Sequence, residues 1–311
     1  MARAERLPAT NIVQTSTKSG RNGFFNSNNP WVWLIPAIGF LLAYSVFPLV
    51  YNAVISLHEW RRREKFFRYV GLDNWTELFG DTRFINSLGI TLQYVVAALL
   101  IQIFLGLIIA LLLDAQPWGY SIMQAAIILP MVTAPAVAGM LFRLLTHSEF
   151  GVISKLLYNV GLLTTAEPLI GGRGYYALIG LLMVEIWQWT PFFVLIILAG
   201  LKGIPQEVLE ASQVDGASWL QRILRIKLPL LRTVLTVAIL FRLVDLYKVF
   251  DYVAIITSGG PASRTETLSY YGYVNTFQQV NWGYGAAIGL FMMIVVWVTA
   301  FGYIRIFRVR W

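Results

Sequence analysis

Glu185 sits inside the apolar run LLMVEIWQWTPFFVL. Gln188, Trp189 and Phe192 follow it at i+3, i+4 and i+7, so a helical period puts all four on one face. A carboxylate, an amide and two aromatic rings on one stripe suit recognition of a sugar: hydroxyls meet hydrogen-bonding groups and the flat C–H face of the ring meets an aromatic wall. Further on, Arg242, Asp245, Lys248 and Asp251 recur at three-residue steps, with Arg242, Asp245 and Val249 sharing a face. An ionisable group inside an apolar span costs about 2.5–3.5 kcal/mol on insertion scales, so such residues face a cavity or a partner. The same charges also fit a purely structural ion pair between helices, and both readings stand at this point.

A second constellation lies between these two. Glu207-Val-Leu-Glu210-Ala211-Ser212-Gln-Val-Asp215-Gly216-Ala217-Ser-Trp219 continues to Ile226-Lys227-Leu228-Pro229. Ile204-Pro205 opens it, and Glu207 and Glu210 fall in a first turn, where the helix dipole favours negative charge. The spacing predicts a short helix, a break at Gly216, then a second helix stopped by Pro229. Gly216 supplies either a backbone conformation or a close approach that a side chain would block. Trp219, Ile223 and Ile226 form an apolar stripe flanked by Arg222 and Arg225. Such a helix–turn–helix suits docking into the groove of a soluble partner.

The elements that carry these groups are membrane spans. Of the 311 residues 57% are hydrophobic and 13% charged, about half the charged share of a soluble domain. Mean hydropathy is +0.64. The predicted fold class is an all-α membrane protein of six transmembrane helices, over residues 31–57, 84–113, 122–145, 176–201, 230–257 and 284–307, each long enough for the hydrocarbon core. Residues 1–30 read as a flexible polar tail rather than a signal peptide, and 149–163 as a short amphipathic helix lying at the membrane surface. Pro191 predicts a kink in the fourth span. Trp31, Trp33, Trp282 and Trp311 read as interfacial anchors in membrane lipid.

Lys and Arg divide almost evenly between the two sides, with Arg61, Arg62, Arg63, Lys65 and Arg68 in one loop, so the positive-inside rule leaves the orientation open. The net charge of +8 fits basic loops against anionic lipid better than nucleic acid. There is no cysteine, which excludes disulfides, thiolate metal sites and thiol nucleophiles. The two histidines, His58 and His147, are too few for a histidine-built metal site. Neither a G-x-x-x-x-G-K-[ST] phosphate loop nor H-E-x-x-H occurs.

The polar segment resembles the EAA loop of permease subunits of binding-protein-dependent ABC importers: E-A-A, two residues, D-G, nine residues, I-x-L-P. Here Ser212 replaces the second alanine, and the nine-residue gap from Gly216 to Ile226 is intact. Ile255-Ile-Thr257-Ser-Gly259-Gly260-Pro261, Thr265-Glu-Thr-Leu268, Tyr271-Gly-Tyr273, Leu129-Pro130 and Gly71-Leu-Asp-Asn74-Trp narrow the resemblance to the sugar, polyol and glycerol-phosphate permeases of the maltose type.

The resemblance implies that residues 202–229 are cytoplasmic and that Glu210, Ala211, Ser212, Asp215, Gly216, Ala217 and Trp219 form a coupling helix seated in an ATPase cleft. Both termini would then be cytoplasmic, in the inner membrane of a bacterium or archaeon. It further implies alternating access and assembly with a second homologous permease, two copies of an ABC ATPase and an extracytoplasmic substrate-binding protein. This chain would hold no cofactor, since ATP and Mg would bind the ATPase. Aligned on Trp187, Pro191 and Gly259-Gly260-Pro261, the residues Glu185, Gln188, Trp189, Phe192, Arg242, Asp245 and Val249 fall where maltose-type permeases touch sugar, although their types differ from the neutral amides and small residues common there. The rival readings are an ion-driven secondary transporter, which predicts repeated halves that this sequence does not display, and a membrane-embedded enzyme, which needs a clustered catalytic set.

Overall fold

The computed structural model describes residues 30–60, 67–147, 149–162 and 176–307. The predicted N-terminal tail, the basic positions 61–66 and Trp311 lie outside the described residues. The chain divides into two compact units, 1–51 and 52–311. The first unit contains α1 (Pro30–Leu41), a π-helical turn at Leu42–Val46 and the start of α2 (Phe47–Ser56). The apolar side chains of α1 and the π turn that are described are exposed throughout, the surface expected of a helix solvated by lipid or covered by another chain.

The second unit begins with the end of α2, followed by a two-stranded pairing, β1 (His58–Glu59) with β2 (Arg68–Tyr69), and the short helix α3 (Asp73–Gly80). Asn74 is buried and donates to the carbonyls of Ser56 (2.8 Å) and His58 (3.0 Å), which accounts for its place in the Gly71-Leu-Asp-Asn74-Trp motif. Asp81 then caps α4 (Thr82–Asp114), accepting from the Arg83 N–H at 2.8 Å. Burial pushes the Asp81 carboxyl up, but hydroxyl donors from Tyr271 and Tyr284 and the N–H groups of Arg83 and Phe84 outweigh it and hold it below its ordinary value of 3.8. Its contribution to stability is therefore present above that value and lost as pH falls through the lower folded one.

α4 packs along α8 (Tyr176–Lys202), which continues unbroken through Pro191. At their contact Gly106 faces Phe193: a Cβ on Gly106 would stand 2.5 Å from the Phe193 Cβ. Membrane helices without a hydrophobic drive between them depend on such close backbone approach. Gly106→Val is therefore expected to destabilise the pair by about 1–3 kcal/mol through overpacking, read as a lower melting temperature of the detergent-purified protein, with Phe193→Gly, which removes the opposing Cβ, restoring part of it in the same chain.

The third predicted span is two helices, α5 (Tyr120–Val132) and α6 (Pro135–Leu145), bent by 99°. The cause is local: Ala134 precedes Pro135 and takes an extended conformation (φ −62°, ψ 136°), because a residue before proline is pushed out of the α region. The amphipathic segment forms α7 (Val152–Asn159), where Ser154 donates to the Thr146 carbonyl at 2.7 Å.

After α9 (Gln206–Val214) and α10 (Trp219–Arg222), the predicted stop at Pro229 is not observed. A π turn, Ile223–Lys227, leads directly into α11 (Leu228–Leu246), with Pro229 in its first turn, where its missing N–H disturbs little. The fifth predicted span, 230–257, is corrected at its other end. α11 stops at Leu246 and helical geometry resumes only at 251–257; the Val249 carbonyl in the gap accepts from the buried hydroxyl of Thr267 at 3.1 Å. α12 (Leu268–Tyr273) and α13 (Trp282–Phe307) complete the chain. Trp282, predicted as an interfacial anchor, stacks on Trp60 with ring centroids 5.6 Å apart.

Among the described residues four helices are long and apolar enough to cross a membrane (Trp33–Ser56, Thr82–Asp114, Tyr176–Lys202 and Trp282–Phe307), and five if the bent pair α5–α6 is one span. α11 falls short of that test because Arg232, Arg242 and Asp245 lie within its 19 residues.

Candidate functional site

Within α8 and α4 and near the end of α11, three helices bring their buried polar groups to one point. Glu185 of α8 is 2% exposed. Its carboxylate accepts from the Tyr94 hydroxyl at 2.9 Å, from Gln102 Nε2 at 3.0 Å, and from Arg242 Nη2. Arg242 is 1% exposed and bonds through all three nitrogens of its guanidinium. Nη2 goes to Glu185, Nη1 to Asp245 and Nε to Gln102 Oε1 at 3.2 Å, while its flat face lies 4.3 Å from the centre of the Trp189 ring. Burying two charges is tolerable when both are paired and hydrogen-bonded, and each member here has its partners.

Asp245 differs from Glu185. Its Oδ2 takes Arg242, yet 40% of its side chain is exposed. With Glu185, Trp189, Arg242, Val249, Lys248 and Asp251 it lines a cavity of about 230 Å³ beside the end of α11. The structure thus gathers Glu185, Trp189, Arg242, Asp245 and Val249 around one cavity. Gln188 lies just behind it, buried, donating to the Thr133 carbonyl and accepting from the Tyr252 hydroxyl, each at 2.5 Å. Phe192 does not join them. It stacks on Phe241 at 5.6 Å and lines an apolar groove of about 470 Å³ with Ile196 and Val237. Nor is Trp189 a bare wall, since one face carries the Arg242 guanidinium.

Sequence reasoning passed over Tyr94, Gln102 and Tyr252. The signal for Gln102 was present, an amide in the apolar run LLIQIFLGL; a tyrosine among apolar residues gives no comparable one.

The second constellation is a helix–turn–helix. α9 ends in a Schellman closure: the Ala217 N–H reaches the Ser212 carbonyl at 2.9 Å and the Gly216 N–H reaches that of Gln213 at 3.0 Å, with Gly216 at φ +75°. Ser218 then caps α10 in a reciprocal box with Gln221. Ser212 is buried and donates to the Leu209 carbonyl at 2.6 Å, so the position asks for a small side chain. Glu210, Ala211 and Asp215 are exposed on α9 and its cap, and Ala217 is half-buried in the turn. The predicted stripe of Trp219, Ile223 and Ile226 divides: Ile223 is buried and Ile226 half-buried, whereas Val208, Val214, Trp219, Leu220 and Leu224 are large apolar side chains left exposed.

The 258–268 turn is tied to the start of α4. Glu266, 1% exposed, pairs with Arg83 through two bonds of 2.7 Å, and the Leu268 N–H donates to Thr91 at 2.8 Å. Thr265 bonds the Gly260 carbonyl at 2.7 Å and Thr257 at 2.8 Å, which gives the Gly259-Gly260-Pro261 and Thr265-Glu-Thr-Leu268 motifs their common structural reason.

Comparison with known proteins agrees with this architecture. The chain is 34% identical over 281 residues to a probable ABC transporter permease of Sinorhizobium fredii, covering 89% of this chain and 90% of that protein. It is 28% identical over 285 residues to the trehalose/maltose transport system permease of Thermococcus litoralis, covering 90% and 94%. A bacterial alginate ABC transporter, solved in complex with an alginate pentasaccharide-bound periplasmic protein, shares the fold at a TM-score of 0.77 and 22% identity, over 88% of this chain and 92% of that one. Residues 75–310 match the family described as binding-protein-dependent transport system inner membrane component, and the chain belongs to that family.

Proposed function

We infer that this subunit lines a path for a sugar or sugar-like solute in an ABC importer. As a family member it is an inner-membrane permease and not itself an enzyme; hydrolysis of ATP, with its Mg, is assigned to a separate pair of ATPase subunits. The observation that carries the substrate class is the state of the charges at the cavity. Arg242 is 1% exposed and each of its three guanidinium nitrogens is already bonded within the chain, a poor position from which to clamp a phosphate or carboxylate, while Asp245 is partly exposed and keeps acceptor capacity for hydroxyl donors. An uncharged polyol fits that arrangement better than an anionic ester. Relatives named for trehalose, maltose and sn-glycerol-3-phosphate transport support a sugar-like solute, and the preference for an uncharged one rests on the charges at the cavity.

The proposal includes six spans. α10, the π turn and α11 form one helical run over 219–246, and α11 alone measures about 28 Å at 1.5 Å per residue, close to the core thickness of about 30 Å. Its charges would then face the path rather than lipid. It also includes cytoplasmic termini, an EAA loop over 202–229 seated in the ATPase, an extracytoplasmic binding protein, and a second, homologous permease. The apolar groove at Phe192 and Phe241 supports a helical neighbour of that kind.

The test is uptake in vesicles holding the complete importer. ATP-dependent accumulation of maltose or trehalose is expected, and Asp245→Asn should raise KM roughly tenfold, the order of one hydrogen bond to a charged group, with assembly unchanged. Uptake by this chain alone under a proton or sodium gradient would overturn the importer reading; an Asp245→Asn permease with native KM would overturn the sugar contact.

A further inference from the structure

Lys202 is the last residue of α8 and Lys227 the last of the π turn, so the two lysines bracket the EAA loop. Both reach the same short turn. Lys227 Nζ pairs with Asp114, the last residue of α4, at 2.5 Å, each side chain only about one-fifth exposed. Lys202 Nζ donates to the hydroxyl of Tyr120, the first residue of α5, at 2.7 Å and lies 5.0 Å from the centre of its ring. Asp114 and Tyr120 flank Ala115-Gln-Pro-Trp-Gly119, a turn set by left-handed Gln116 (φ 47°) and Gly119 (φ 79°).

The same two helices are joined again deeper in the chain. α4 carries Gln102, about 18 Å from Asp114 at 1.5 Å per residue, and α11, which starts after Lys227, carries Arg242, bonded to Gln102. α4 and α11 are thus pinned at the base by Lys227–Asp114 and within the span by Arg242–Gln102.

We propose that Lys202 and Lys227 clasp the α4–α5 turn, making it one body with the EAA loop, so that displacement of the loop by the ATPase is delivered to α4 as well as to α11. The two lysines are positioning residues: they touch neither solute nor nucleotide. The inference rests on the importer reading above.

The test uses the complete importer in vesicles, measuring solute uptake per ATP hydrolysed with maltose or trehalose as the probe. Lys227→Met and Asp114→Asn should each lower that ratio at least fivefold while ATP hydrolysis stays within twofold, and Lys227→Arg should keep the native ratio. Because the chain has no cysteine, Asp114→Cys with Lys227→Cys can be cross-linked selectively. Before cross-linking the double variant should show the lowered ratio, and cross-linking should restore it, since a covalent tie then replaces the ion pair. A ratio that stays low or falls further on cross-linking overturns the clasp, as does a native ratio in Lys227→Met, or a parallel fall of uptake and hydrolysis with less complex recovered. If the native importer shows no ATP-driven uptake, the importer reading itself falls and takes the clasp with it.

Discussion

Replacing Arg242 by methionine is expected to destabilise the folded permease by about 3–5 kcal/mol, the loss typical of breaking a buried ion pair from one side. Glu185 would be left 2% exposed with its Tyr94 and Gln102 donors but no counter-charge, and Gln102 Oε1 would lose the Arg242 Nε–H. Glu185→Gln should be milder, because Arg242 keeps Asp245 and a neutral amide can still accept from Tyr94. Adding Glu185→Gln to Arg242→Met should recover part of the stability, since no buried charge then lacks a partner. Arg242→Lys should rescue poorly: one ammonium cannot span Glu185, Asp245 and Gln102 in a plane while lying flat on Trp189. Thermal unfolding of the detergent-purified protein, followed by recovery of the monodisperse peak, reads all four. An Arg242→Met variant as stable as the native chain would show that the network is not what joins α4, α8 and α11.

These residues also mark the limit of what the sequence discloses. Glu185, Arg242 and Asp245 stand out because a charge in an apolar run is expensive, and the two readings of them, ion pair or cavity wall, turn out to describe the same side chains. Arg242, 1% exposed, is mainly a paired group at the cavity's edge, whereas Asp245 is both paired and open to the cavity. Phe192 shows why face arithmetic is insufficient. At i+7 it shares the azimuth of Glu185 but lies about 10 Å along the axis, far enough to belong to a different groove with Phe241. Periodicity fixes direction around a helix and says nothing about depth.

The breaks in the third and fifth spans escaped for different reasons. Pro130 and Pro135 stand five residues apart, and the bend falls between them at Thr133-Ala134, so that break was readable from proline chemistry. The end of α11 at Leu246 has no proline or glycine beside it; the carbonyl of Val249, in the gap beyond, is satisfied by Thr267, a residue 18 positions later. Only tertiary contact supplies that information. The EAA loop was the most legible part, because caps, glycine and proline act locally; its misreadings were Pro229 taken as a stop, Glu210 placed in the first turn, where only Glu207 lies, and Trp219, Ile223 and Ile226 taken as one stripe, which burial divides.

Gly216→Val is expected to lower ATP-driven uptake by at least tenfold while the protein inserts and assembles normally. Gly216 holds φ +75°, and a Cβ added there meets no atom of this chain within 4 Å. The substitution therefore creates no clash, and its effect is conformational: an L-residue in the left-handed region costs about 1–2 kcal/mol, more for a β-branched one. That is enough to open the Schellman closure between Gly216 and Gln213 and between Ala217 and Ser212 and to redirect α10, with Trp219 at its start, relative to α9. Gly216→Asn separates the two roles a glycine could have here, because asparagine tolerates the left-handed region but brings a side chain. Near-native uptake in Asn with loss in Val assigns Gly216 to the turn. Equal loss in both assigns it to close approach by the ATPase, against a surface that is open in this chain. Native uptake per ATP in Val removes the coupling role from this loop, and with it the reason for placing residues 202–229 on the cytoplasmic side.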